Sequence, residues 1–291
     1  MKLRKSLLLV LIICLSFSNV ALAADGFPSQ GIDSSSSAGQ SPGNIEHEDE
    51  DTLNEYLREN GYPESIINLL IVEQKKELVN DGAVYVGSKT AKDNITDLDD
   101  KAGSISLQAL QDTNFSHTLV VSRIRTATKG IAQFTVNYNW NWKYTPSFSR
   151  VDKYGLAWNN NYSVVNNSAK HWYKLIYYTD KKNTSGGVTQ SGYETIQPGT
   201  GIGWNVNLVS RGLQQEHQGA ASMTLQVGHD NSGNKITSSM VGNYFHKRLA
   251  VTDPEFTFSK EPSVSIGIGS SYDEARPTSY TWTWTQSDFL K

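Results

Sequence analysis

The richest chemistry in this chain lies in His171-Trp-Tyr-Lys-Leu-Ile-Tyr-Tyr178. Read as a strand, one face carries Trp172, Ile176 and Tyr178, and the other carries Tyr173, Leu175 and Tyr177. Such a segment is either central and covered on both sides, or it leaves one aromatic row open. An open row of Trp and Tyr bordered by Asn and Lys suits sugar rings. The apolar faces of a sugar pack on aromatic planes while amides and ammonium groups bond its hydroxyls. Trp172 and Tyr178 are the expected binding platform, with Tyr173 and Tyr177 as the alternative row.

Other chemistries find less support. The close carboxylates Asp253/Glu255 and Asp273/Glu274 fall at expected turns, and nothing places two of them across a glycosidic bond. His217 and His229 flank an expected strand, with Glu216 adjacent, but the spacing matches no zinc pattern; they read as separate surface histidines. Asp230-Asn-Ser-Gly-Asn234 lacks the distal glutamate of a calcium loop and reads as a hairpin turn. Gly199-Thr-Gly-Ile-Gly203 precedes a strand rather than a helix, so it is a turn or bulge and not a phosphate cradle. No Gly-x-Ser-x-Gly elbow occurs. The expectation is therefore no catalytic residue, no metal and no cofactor, although a secreted hydrolase stays as a third reading.

Membrane activity is the second reading. Ser263-Val-Ser-Ile-Gly-Ile-Gly-Ser-Ser271 and Ser222-Met-Thr-Leu-Gln-Val227 alternate small polar with apolar residues and carry no charge. A pore-forming β-hairpin needs that composition, because each strand faces lipid on one side and water on the other. Ordinary sandwich strands alternate in the same way.

The elements that must position these residues are strands. In Phe134-Thr-Val-Asn-Tyr-Asn-Trp-Asn-Trp-Lys-Tyr144 every aromatic or aliphatic residue falls on one parity, and Thr135, Asn137, Asn139, Asn141 and Lys143 fall on the other. A period of two predicts a strand with one buried and one wet face. That strand is expected over 131–144, and others at 105–110, 115–124, 154–165, 171–178, 201–209, 221–227, 240–251, 256–258, 264–268 and 280–285, separated by turn signals at Asn183-Thr-Ser-Gly-Gly187, Asp230–Asn234, Pro254 and Pro262. All seven tryptophans lie between Trp140 and Trp284, so the core belongs to this half. The fold class is mainly β: one antiparallel sandwich, jelly-roll-like or elongated β domain over 103–291, with a small N-terminal helical pair.

The N-terminal part differs in kind. Lys2, Arg4 and Lys5 precede an apolar run from Ser6 to Phe17, and Ala21-Leu22-Ala23 supplies a small-x-small cleavage site. Residues 1–23 are thus expected to be a signal peptide, and the protein to be secreted and extracellular. Cys14, the single cysteine, lies in that run without the small residues that precede a lipidated cysteine. Cleavage removes it, so disulfides cannot stabilise the mature chain. Residues 24–51 form an acidic Ser/Gly-rich leader ending in Glu46-His-Glu-Asp-Glu-Asp51, expected to be disordered because it has too little apolar surface to bury. A helical pair and a short strand at 84–86 follow over 52–87, with Gly61, Pro63 and Gly82 as punctuation, and 88–102 reads as a linker.

Tyr56-Leu-Arg-Glu-Asn-Gly-Tyr-Pro-Glu-Ser-Ile-Ile-Asn-Leu-Leu70, with Gln74-Lys-Lys-Glu-Leu78 and Gly82-Ala-Val-Tyr85, resembles the N-terminal segment of uncharacterised secreted proteins of Bacillus-type bacteria. The resemblance implies a Gram-positive source and no activity. Secretion without cysteines agrees with that source.

Charge is divided along the chain. Residues 25–101 carry 17 acids and 6 bases, a balance of −11, whereas residues 102–291 carry 12 acids and 17 bases, a balance of +5. Opposite signs should draw the helical pair onto the β domain, and its apolar residues are too few to form a core alone. A surplus of +5 is small for a nucleic-acid binder, so no nucleic-acid partner is expected. The leading function is non-catalytic binding of a cell-surface or cell-wall glycan by aromatic stacking; the partners to consider are that glycan and a membrane.

Overall fold

The computed structural model describes residues 49–93, 114–126, 128, 130–143, 146, 151–159, 162–179, 182–191, 193–209, 215–229, 233–247, 254–267 and 272–289. The expected signal peptide, most of the leader and the strand at 105–110 lie outside them. The chain opens with three helices, α1 (Glu50–Glu59), α2 (Glu64–Ile67) and α3 (Val72–Asn80). Fifteen strands follow among the described residues: β1 (Val84–Asp93), β2 (Phe115–Ile124), β3 (Ile131–Trp142), β4 (Val151–Trp158), β5 (Ser163–Val164), β6 (Lys170–Thr179), β7 (Lys182–Ser191), β8 (Thr195–Gln197), β9 (Gly201–Asn207), β10 (Gln215–Gly228), β11 (Ile236–Lys247), β12 (Phe256–Ser259), β13 (Ser263–Ile266), β14 (Tyr272–Glu274) and β15 (Thr278–Trp284). A 3-10 turn, Gln286–Phe289, closes the described chain.

Two antiparallel sheets face each other. The first runs β1-β2-β3-β10-β6-β7, with β5 also on β10; the second runs β14-β11-β4-β9-β8, with β15 also on β11. Between them lie Phe134, Val136, Tyr138, Trp140 and Trp142 of β3, and Tyr154, Leu156 and Trp158 of β4, all buried. The aromatic rings interlock: Trp140 meets Tyr244 at 5.1 Å, Tyr154 stacks on Trp204 at 5.3 Å, and Phe134 meets Trp282 edge-on at 5.5 Å. The aromatic parity read from the sequence is therefore the inner face, and the sandwich is mainly β as expected.

The opposite parity departs from the expectation. Thr135, Asn137 and Asn139 are buried, not wet, because the helices lie over them. Leu57, Tyr62, Ile66, Ile67, Leu70 and Leu78 join Val120 and Ile124 of β2 in a second apolar cluster on the outer face of the first sheet. The helical pair is in fact three helices. Gly61 at φ +85° ends the first turn of chain, Pro63 at φ −65° and ψ 148° starts α2, and an extended Ile71 separates α2 from α3. The strand expected at 84–86 continues to Asp93 along β2, over part of the expected linker.

Of the segment 263–271, residues 263–266 form β13 and 268–271 lie outside the described residues. β12 and β13 form a two-stranded flap whose Phe256, Phe258 and Val264 pack on Ala157 and Phe245 of the second sheet. Gly201 and Gly203 make this possible, since a Cβ there would lie 2.2 Å and 2.6 Å from the rings of Phe258 and Phe256. Residues 222–227 lie inside β10, held by β3 on one side. Of the expected hairpin turn Asp230–Asn234, residues 230–232 lie outside the described residues; the strands on either side, β10 and β11, belong to different sheets.

Candidate functional site

A groove of about 680 Å³ opens on the outer face of the first sheet, where the helical layer stops short of β6. Its floor comes from the outward parity of three adjacent strands. Asn139 and Asn141 stand on β3, Gln218 and Ala220 oppose them on β10, and Trp172 and Lys174 oppose those on β6. The chain between α2 and α3, with Leu69 and Glu73, forms the other wall. Strand pairing brings these residues together from positions up to 81 apart: Asn139 pairs with Ala220, and Ala220 with Trp172.

Four amides, Asn68, Asn139, Asn141 and Gln218, line the groove, with Glu50, Glu73 and Lys174 as its charged residues. Asn139 Nδ2 donates to Gln74 Oε1 at 2.7 Å, so its position is fixed. Asn141 Oδ1 is buried without a hydrogen-bond partner. Leaving such an acceptor unpaired costs on the order of 1–3 kcal/mol, which a ligand donor would offset. Trp172 is only 7% exposed and forms a wall of the groove, not an open platform. Together these groups can stack a ring, accept and donate hydrogen bonds, and little else.

Of the other expected site residues, Tyr173 also borders the groove, although its ring turns inward. Tyr173 points to the inner side of the sheet, stacks on Trp140 at 6.2 Å, and accepts from Val209 N at 3.1 Å while bonding His217 Nδ1 at 2.7 Å. Its hydroxyl there joins β6 to His217 of β10 and to the Val209 amide. Tyr177 and Tyr178 pair through the backbone with Gln215 and Asn183, and their side chains lie outside the described ones. Sequence reading missed Asn139, Asn141 and Gln218. The parity of Asn139 and Asn141 was visible in β3, but a polar parity gives no sign of which part is covered, and Gln218 precedes the strand expected at 221–227.

A second polar cluster sits inside the sandwich. Asp152 and His246 are fully buried and 2.9 Å apart, and Asp152 also accepts from Tyr244 Oη at 2.6 Å and Lys247 N at 3.0 Å. Burial pushes the Asp152 carboxyl up, against the pull of His246. His217 is buried nearby rather than on the surface, and burial first, then His246, holds its imidazole down at about 4. His117 bonds Tyr138 Oη at 2.5 Å and the Arg276 carbonyl at 2.9 Å, and burial holds it down at about 4 as well. Nε2 of His117 therefore carries the proton and donates to the carbonyl, and Nδ1 accepts from the tyrosine. Tyr244 Oη also accepts from Trp142 Nε1 at 3.1 Å, which joins the Asp152 cluster to the first sheet, and none of Asp152, His246, His217 and His117 borders the groove. Among the described residues no group of three or more His, Cys, Asp or Glu side chains is placed to hold a metal ion.

No protein-family model and no curated protein matches this chain. Among solved structures, the Clostridium perfringens delta-toxin aligns over 71% of this chain and 91% of its own, at 8% identity and a TM-score of 0.26. The Clostridium perfringens NetB toxin in its membrane-inserted form aligns over 71% and 98%, at 10% identity and a TM-score of 0.25. The collagen-binding domain of Erysipelothrix rhusiopathiae surface protein RspB aligns over 60% and 67%, at 9% identity and a TM-score of 0.22. Superpositions at this level establish no shared function.

Proposed function

We propose that this chain is a secreted, non-catalytic binding protein that holds a neutral glycan of a cell surface or wall in the groove beside Trp172. One observation carries the reading: a tryptophan wall stands over a floor of amides that includes the unpartnered Asn141 Oδ1. A sugar offers an apolar ring face to the indole and hydroxyls to the amides. Three charged side chains border the groove, Lys174, Glu73 and Glu50, and Glu50 is ion-paired with Lys75 at 2.6 Å, so no single sign dominates, which favours a neutral ligand. Retention on wall preparations and a glycan panel tests it. Trp172→Ala should weaken retention about tenfold, equivalent to 1.4 kcal/mol, with cooperative unfolding preserved. Retention unchanged by Trp172→Ala, or no retention on any glycan, sinks the reading.

A second reading, membrane activity, rests on the β6–β7 hairpin and no longer on 263–271. β7 pairs with β6 alone at the sheet edge, and each strand has 10 residues, the length with which tilted strands cross a bilayer. The sequence of β7 is mostly Ser, Thr, Gly, Asn and Gln, with Val188 as its one apolar residue, so it offers no lipid-facing row. That composition ranks the reading second. Dye leakage from liposomes decides. A Lys174→Cys/Gln218→Cys disulfide, across a direct β6–β10 pair, should abolish leakage reversibly with reductant. Absence of leakage from the untethered protein removes the reading.

A further inference from the structure

The groove is one end of a longer polar strip. On the outer face of β3 and β10 the cross-strand pairs are Gln133–Gln226, Thr135–Thr224, Asn137–Ser222, Asn139–Ala220 and Asn141–Gln218. Only Ala220 lacks a polar side chain. Eight residues of strand separate Gln133 from Asn141, so the strip is about 27 Å long. A second cleft of about 410 Å³ opens at its far end, lined by Gln133, Thr135, Ser222 and Thr224. Helix α3 separates the two openings. Its N-terminal residues Val72 and Glu73 border the first, and Glu77 and Asn80 border the second.

Gln74 makes most of the polar contacts that divide the strip, and longer ones run from Asn139 Nδ2 to the Leu69 carbonyl at 3.4 Å and from Thr135 Oγ1 to Asp81 at 3.5 Å. Gln74, fully buried, donates from Nε2 to the Ala221 carbonyl at 3.1 Å and to Asn139 Oδ1 at 3.3 Å. Its Oε1 accepts from Asn139 Nδ2, the amide that borders the groove. Asn137 Nδ2, beside it, is buried without a partner. The helical layer is therefore asymmetric. Toward β2 it is apolar, through Leu78 against Val120 and Ile124. Toward β10 and β6 it is polar, through Gln74 and the 2.6 Å ion pair of Glu77 with Lys170. A polar seam exchanges for water or ligand hydroxyls at small net cost, whereas an apolar one does not. The chain leaves α3 through Ala83 into β1, beside β2, so both the hinge and the apolar contact lie on one side.

We propose that the β3–β10 strip is a single extended site for a linear, neutral, polyhydroxylated polymer, and that α3 is a displaceable cover over its middle. This rests on the glycan reading of the groove. Short oligomers occupy the first opening with the cover in place. Long ones gain the middle of the strip and the second cleft when Gln74 gives up its amide contacts.

Isothermal titration of the full chain with β-linked glucose and N-acetylglucosamine oligomers, from dimer to octamer, tests this. For the wild type, affinity should level off at short oligomers, because opening the cover opposes further gain. Gln74→Ala should bind the octamer about tenfold more tightly than the wild type and the dimer equally. Glu77→Gln, which frees only the far end of α3, should shift the same way by less and stands in if Gln74→Ala does not fold. Hydrogen exchange of 72–80 should speed up on adding octamer and not on adding dimer. Equal or weaker octamer binding by both variants, with wild-type dimer binding intact, overturns the cover and leaves the groove. Failure of every protein to bind any oligomer overturns both.

Discussion

The two faces of strand β3 make opposite use of the same alternation. Inward, Phe134, Tyr138, Trp140 and Trp142 lock into the other sheet with ring contacts near 5–6 Å. Outward, Thr135, Asn137 and Asn139 meet the helical layer through amides and hydroxyls. Both faces are buried, but burial stabilises them differently. Apolar area removed from water contributes about 25 cal/mol per Å², while a hydrogen bond exchanged with water contributes about 1 kcal/mol net. The inner face holds the fold; the outer face holds a cover whose polar side can be exchanged.

The comparison breaks first if the inner face is not the stable one. Phe134 touches Tyr162, Trp282, Trp284 and Phe289 by ring contacts. Phe134→Ala should cost about 3–5 kcal/mol in urea unfolding. A loss under about 1 kcal/mol would deny the interior its assigned weight.

Acid should act on the same interior. His117 and His217 are held down at about 4 when folded, against an ordinary 6.5. The unfolded chain therefore binds more protons between those values, and stability is full above about 6.5 and falls as pH drops toward 4. For His117 the shift corresponds to on the order of 3 kcal/mol. Thermal midpoints measured from pH 7 to pH 4 should drop, and His117→Gln should flatten part of the slope. A midpoint independent of pH over that range contradicts the burial of these rings.

The outer seam should respond less. Tyr62 Oη donates to Ser122 Oγ at 2.6 Å, and Tyr62→Phe should cost about 1 kcal/mol. The exposed pair Arg58–Glu64 at 2.9 Å, on the solvent side of the helices, should matter least. Glu64→Gln should leave the unfolding midpoint unresolved from wild type, since such exposed pairs contribute little.

The sequence made some elements legible and hid others for physical reasons. Phe115–Ile124 was readable at both ends because its apolar run starts and stops with the pairing. β7 was read as a turn, since Asn183-Thr-Ser-Gly-Gly187 has turn composition; its order comes from pairing with β6. His217 was read as a surface group, yet its ring enters the sandwich beside Gly219, where small side chains make room for Trp140. Trp172 was singled out from its strand alone and does line the groove. Its neighbours Asn141 and Gln218 were not, because alternation reports which residues share a face and never which partner covers it.

The most direct measurement of the central claim is backbone hydrogen exchange of the full chain with and without a saturating neutral oligosaccharide that it retains. Protection should concentrate on 139–141, 172–174 and 218–220, the three strand segments that meet at the groove. Protection confined to 256–266 or elsewhere, with those three segments unchanged, would contradict the account.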